Sequence, residues 1–150
     1  MENFKIQQFA RISETLLDYL VELETNIFEK PLTGDVFVSE LKGKKNLLVL
    51  VAFQGSRPCA YKIGFEYSSN TFFSWSGGVI PSCRKHGLGS ALIAKQHQVA
   101  KELGYSYVRT HTKNKYRDML ILNIKSGFNV TGVYKSLRET HQGIILEKAL

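Results

Sequence analysis

A chain of 150 residues that is 43% hydrophobic and 22% charged suits one domain, residues 1–150, with one core. The net charge of +7 favours anionic ligands. The basic residues are dispersed, without a block of five like charges, so neither a nucleic-acid-binding arm nor a nucleic-acid partner is expected. No run of about 18 apolar residues predicts a membrane span, and Met1–Lys5 lacks a signal-peptide pattern. Cys59 and Cys83 have no metal-ligand spacing and read as free thiols in a reducing, cytoplasmic setting. The four histidines, His86, His97, His111 and His141, show no paired metal spacing either, so no metal is expected.

In chain order, residues 4–9 alternate imperfectly and suggest a first strand. Ile12, Leu16, Tyr19, Leu20, Leu23 and Ile27 recur at helical spacing, with Ser13 as the cap and Glu14 in the first turn. Pro31 and Gly34 read as the end of that segment. Residues 35–46 read as a connector with some strand character at Val36–Val38. Leu47–Phe53 is a short continuous apolar run, the pattern of a strand buried on both faces. After a Gln54–Pro58 turn, residues 59–67 alternate with a period of two and form the second arm of a hairpin. Residues 72–80 make the next strand, in which Gly77 and Gly78 suggest a bulge or a close backbone approach.

The stretch from Val79 to Ala91 then reads as a strand end, a basic turn and a helix start. A helix N-terminus carries unpaired N–H groups and the positive end of a dipole, so it can hold an anion. Gly87 and Gly89 let a ligand approach the backbone, and Arg84, Lys85 and His86 add donors. The residues themselves indicate a phosphate or pyrophosphate site. A dinucleotide fingerprint needs a small third residue and an acid about 20 residues on. Leu92 and Arg109 occupy those places, and a P-loop would need Gly-Lys-Ser/Thr where Gly89-Ser90-Ala91 stands.

Leu88–Leu103 reads as a helix closed by Gly104, with Lys95 inside its apolar stripe, and Ser106–His111 as a strand. Tyr116–Ser126 reads as a second helix, apolar on several faces and closed by Gly127. A strand over 128–134, a polar loop over 135–143 and a short strand from Ile144 complete the chain. Asn114 stands before the second helix, able either to cap it or to hydrogen-bond a ligand amide.

Arg84-x-x-Gly87-x-Gly89 resembles the Arg/Gln-x-x-Gly-x-Gly/Ala loop of the GCN5-related N-acetyltransferases, which holds the pyrophosphate of acetyl coenzyme A. The stretch Asn114–Phe128, with its Met119-Leu120 core and Gly127-Phe128 close, is similar to that family's second cofactor segment. The resemblance covers roughly Leu47 to Val133. The resemblance implies an α/β (α+β) fold: a mixed, mainly antiparallel twisted sheet of six to seven strands with helices on both faces. It implies acetyl coenzyme A on Val79, Ile80, Arg84, Lys85, His86, Gly87, Leu88, Gly89, Ser90, Asn114 and Asn123. The implied reaction is acetyl transfer to an amine by direct attack in a ternary complex, and a homodimer is compatible with it. The acceptor, a small-molecule or peptide amine, is not legible.

One position departs from the family pattern. Many members place a tyrosine four residues before the glycine of the Gly-Phe pair, and its hydroxyl protonates the leaving thiolate. Here it is Asn123, whose amide has no titratable proton but can still hydrogen-bond the sulfur. Tyr116, seven residues earlier on the same helix face, is a possible stand-in. Glu66 is the candidate base for the amine, an exposed strand glutamate being the other reading, and an N–H near Ile80 the candidate oxyanion donor. Trp75 and Tyr67 read as core or acceptor contacts, and His111 as a packing or catalytic residue. Cys83 has no evident base beside it. A non-catalytic acyl-coenzyme-A-binding module is the alternative that Asn123 leaves open.

Overall fold

The computed structural model describes residues 3–135 and 142–150. Seven strands form one sheet in the order β1-β2-β3-β4-β5-β7-β6. Their ranges are β1 Phe4–Phe9, β2 Leu48–Gln54, β3 Arg57–Ser68, β4 Thr71–Val79, β5 Tyr107–Lys113, β6 Asn129–Lys135 and β7 Gln142–Ala149. Every pairing is antiparallel except β4 with β5. The four helices are α1 Glu14–Ile27, α2 Gly34–Leu41, α3 Leu88–Glu102 and α4 Arg117–Lys125, with a short 3-10 turn at Pro81–Cys83.

Strand alternation sorts the helices onto two faces. Tyr61 of β3 points at α1, where its hydroxyl meets Glu24. Its neighbours in the pleat point the other way: a Cβ at Gly64 would meet Gln96 of α3 at 2.7 Å. α2 joins α1 through Phe37, whose ring stands edge-on to Trp75 at 6.0 Å. α4 joins α3, since a Cβ at Gly89 would meet Leu122 at 2.8 Å. The core therefore lies on both sides of β2–β4, with Leu16, Leu20, Leu23 and Phe37 on one face and Leu88, Leu92 and Val99 from the other. β2 is buried along nearly its whole length, as its unbroken apolar run requires.

Several expected elements need correction. Residues 34–41 are a helix and not a strand-like connector. Thr33 caps it by accepting from the Val36 N–H, Asp35 sits in its first turn, and Phe37 and Leu41, one turn apart, are its buried pair. Gly34 begins this helix; it does not end the previous one. The bulge in β4 falls at Trp75, not at the glycines: Ile63 pairs with Ser76 but Gly64 pairs with Ser74, leaving Trp75 extra. Gly77 and Gly78 stay in register with Lys62 and Tyr61. Their second expected property holds, because a Cβ at Gly77 would lie 2.9 Å from the Tyr61 carbonyl. The final strand is longer than expected, and Lys135, Gln142 and Gly143 belong to β6 and β7. The rest of the polar loop, 136–141, lies outside the described residues. α4 is amphipathic only weakly: Ile121 and Ile124 are about half exposed at 50% and 51%.

Candidate active site

The parallel pairing of β4 with β5 runs only from Thr71 and Tyr107 to Ser74 and Thr110. The Thr110 hydroxyl donates to the Ser74 carbonyl at 2.9 Å and pins this last rung. Beyond it comes the extra residue Trp75, and the two strands part. A cleft of about 1000 Å³ fills the gap, bounded by Ser74–Val79 on one side and Thr110–Lys113 on the other. This volume is at the top of the ~300–1,000 Å³ range usual for small-molecule sites.

The backbone of β4 is available along that edge. Ile80 N–H donates back to Cys59 O at 2.9 Å on the β3 side, so alternation turns the peptide groups of Val79 and Gly77 toward the cleft. The Ile80 N–H is therefore spent, which leaves the neighbouring Val79 N–H as the one near that position that faces the cleft. Ile80 itself is buried at 4% exposure and does not line the cleft.

The basic turn closes one mouth. Lys85 and Gly87 both have left-handed backbone, at φ 66° and 79°. Gly87 is the N-cap of α3, and no side chain caps that helix. Its first internal bond is from Ala91 N–H to Gly87 O. The N–H groups of Leu88, Gly89 and Ser90 thus have no acceptor among the described residues and face the cleft mouth. The two glycines differ. A Cβ at Gly87 would meet nothing within 4 Å, whereas one at Gly89 would strike Leu122. Gly87 is open to a ligand; Gly89 lets α3 pack on α4. Arg84 folds back along the edge, its Nε donating to Val79 O at 3.0 Å.

Of the residues expected here, Val79, Arg84, Lys85, Gly87, Leu88, Gly89, Ser90 and Asn123 come together around the cleft. Asn123 is buried at 3% exposure. His86 is turned toward Phe4, ring centroids 6.1 Å apart, and does not line it. Asn114 is exposed and lines nothing, and it does not cap α4, whose N-cap is Tyr116. Tyr116 lines the cleft at 41% exposure, with the Lys115 ammonium 5.0 Å from its ring centroid. Tyr67 lies outside, half exposed beneath Arg109; Trp75 lines the cleft and also packs on the core.

Glu66 is not brought to the cleft. It sits at the far end of β3, where its Oε1 accepts from the Tyr105 hydroxyl at 2.9 Å and lies 3.9 Å from Lys45 Nζ. The Cys59 thiol is unsuited to attack: burial first, then a hydrogen bond with Cys83, pushes its pKa up to about 11. His111 lines the cleft, but its Nε2 accepts from Arg109 Nε at 3.2 Å. Burial, then the Arg109 charge, lowers its pKa and keeps the ring neutral near pH 7. The remaining ring nitrogen then carries a proton, so it can donate but cannot accept.

Among the cleft residues that escaped the sequence reading are Glu24, Ser76 and Lys62. Glu24, only 2% exposed, stands on α1 four residues after Leu20, inside the apolar stripe. A carboxylate in such a stripe was the signal. Its oxygens accept from Leu32 N–H at 2.8 Å and from the Tyr61 hydroxyl at 2.6 Å. Ser76 lies 2.9 Å from that same hydroxyl. Lys62, 8% exposed and in register with Gly77, reaches the cleft with no hydrogen-bond or ion-pair partner among the described residues. Burial pushes its pKa down to about 8.

A sheet split after a β4 bulge, with an uncapped basic helix start at its mouth, is the architecture of the GCN5-related N-acetyltransferases, and this chain has that fold. Its solved neighbours make the point directly. Ard1 from Thermoplasma volcanium superposes with a TM-score of 0.85 at 15% identity, covering 98% of this chain and 97% of its own. The ribosomal-protein-S18-alanine N-acetyltransferase from Escherichia coli gives 0.83 at 17%, covering 98% and 94%. A GNAT family acetyltransferase from Elizabethkingia anophelis, solved with acetyl-CoA bound, gives 0.78 at 16% over the full length of both chains. No family model matches the sequence, and no curated protein matches it.

Proposed function

We propose that this protein is an acetyl-CoA-dependent N-acetyltransferase of the GCN5-related family, acting by direct attack of an amine on the bound thioester. The observation that carries this reading is the opened β4 edge running into the uncapped start of α3. The free N–H groups of Leu88, Gly89 and Ser90, with Arg84 and Lys85 beside them, suit a pyrophosphate. The cleft-facing Gly77 peptide group and Val79 N–H suit an amide-bearing arm in β-like pairing, the Val79 carbonyl already accepting from Arg84 Nε. They would orient the thioester and support its carbonyl where charge develops. Asn123, which lines the cleft, would hydrogen-bond the sulfur. Holding donor and acceptor together in one cleft supplies much of the acceleration. That a neighbour of the same fold was solved with acetyl-CoA supports the choice of donor.

The test is calorimetric titration of acetyl-CoA into the wild type, Gly87→Asp and Gly87→Asn. Both side chains tolerate left-handed backbone and enter open space; only the first adds a charge that repels the pyrophosphate. The wild type and Gly87→Asn bind, and Gly87→Asp loses at least about tenfold, roughly 1.4 kcal/mol. Equal binding by the two variants would remove the pyrophosphate from this turn. Binding without turnover of any amine would instead favour a non-catalytic acyl-CoA module.

A further inference from the structure

With Glu66 at the far end of β3 and His111 unable to accept, the cleft needs another group to receive the acceptor's proton. Among the described residues two carboxylates line the cleft, Glu24 and Asp118, and Glu24 is the one joined to the β4 edge by a chain of hydroxyls. It rests on α1 at 2% exposure. Leu32 N–H at 2.8 Å and the Tyr61 hydroxyl at 2.6 Å satisfy one oxygen each. Tyr61 has one proton, and it is directed to Glu24. In the 2.9 Å contact between Tyr61 Oη and Ser76 Oγ the serine must therefore be the donor. That polarises the chain in one sense, from Ser76 through Tyr61 to Glu24. The free lone pairs of Ser76 Oγ are left at the half-buried, cleft-lining end. Ser76 follows the bulge residue Trp75 and precedes Gly77, at the point where the β4 edge opens.

We infer that Ser76, Tyr61 and Glu24 form a hydroxyl relay that deprotonates the acceptor, and that the acceptor is a basic alkylamine, protonated when it arrives. This deepens the acetyltransferase reading and rests on it. One ammonium proton passes to Ser76 Oγ as the serine's own moves to Tyr61 Oη and the tyrosine's to Glu24 Oε2. The freed nitrogen lone pair forms the N–C bond to the acetyl carbon, the C–S bond breaks, and the departing thiolate takes the second nitrogen proton. Glu24 ends protonated and returns its proton to solvent along the same chain. Burial first, then the negative charge of Glu24, raises the Tyr61 pKa, so the phenol stays a proton carrier and does not ionise. The buried negative charge also draws a cation toward this end of the cleft. An amine neutral at pH 7 has no need of such a relay.

The experiment compares ethylamine, protonated at neutral pH, with hydroxylamine, largely neutral there. Coenzyme A release is followed for the wild type, Ser76→Ala and Tyr61→Phe. Acetyl-CoA affinity is measured by calorimetry for each. The relay predicts that both variants bind acetyl-CoA within about twofold of wild type. It also predicts at least about tenfold slower ethylamine turnover, the low end of general-base contributions, with hydroxylamine turnover reduced much less. Equal losses with both amines would overturn the relay and leave Glu24 a structural tie between α1 and Leu32. Wild-type failure to bind acetyl-CoA would instead overturn the acetyltransferase reading beneath it.

Discussion

Gly87 and Gly89 stand two residues apart, look alike in the motif, and do different things. Gly87 takes a left-handed conformation open to the cleft, while Gly89 removes a side chain that would collide with Leu122. Composition and spacing identified the pair but not this division, because the contact with α4 is made across 33 residues of chain. Lys62 is the converse case, illegible as a lone lysine in an alternating strand. Among the described residues its ammonium has no partner, and burial lowers its pKa from 10.5 to about 8. The charged form is disfavoured in the folded state. The penalty is full below pH 8 and disappears as pH rises toward 10.5. Lys62→Met is therefore expected to stabilise the fold at pH 7, by up to about 3 kcal/mol at 1.36 kcal/mol per unit. The gain should shrink between pH 8 and 10.5, as read by denaturant unfolding at both ends. A destabilised variant at pH 7 would mean the ammonium finds an anionic partner.

Among the elements, α2 was misread and α3 was not, for a physical reason. α3 has fifteen residues, enough for its period to show. α2 has eight, begins with glycine and carries β-branched Val36 and Val38, which favour strands. What makes it a helix is tertiary: Phe37 wedged against Trp75 and the core, with Leu41 one turn later. Phe37→Ala should accordingly cost about 3–5 kcal/mol and loosen the wall behind Trp75. Loss of less than about 1 kcal/mol would show that α2 is held by something else. The β4 bulge was similarly legible as an event but not as a position. The glycines drew attention to residues 77 and 78, yet the extra residue is Trp75, whose ring packs against Phe37 and Phe65.

The molecule as a whole is a sheet divided by function. Its antiparallel half, β1–β4, is clamped between helices, and its other half leaves β4 after four paired residues. The loop, the strand and the helix start were readable because each is local. The split was not, because it depends on where β5 ceases to pair. His97 ties α3 to the second half, its ring edge-on to Phe128 at 5.3 Å. Burial, with nearby Lys148 and Lys62, lowers its pKa from 6.5 to about 4. The unfolded chain binds the extra proton first. Stability should hence fall as pH drops from 6.5 toward 4, by up to about 3 kcal/mol. His97→Gln should flatten that slope in thermal melts across the range, and an unchanged slope would assign acid sensitivity to other groups.

The central claim is that an acyl-CoA lies along the opened β4 edge with its pyrophosphate on the start of α3. Backbone amide NMR during acetyl-CoA titration tests it most directly. The account predicts the largest shifts at Gly77, Val79 and Leu88–Ser90, with Glu66 and its Tyr105 partner unmoved. Shifts centred elsewhere, or none at saturating acetyl-CoA, would contradict it.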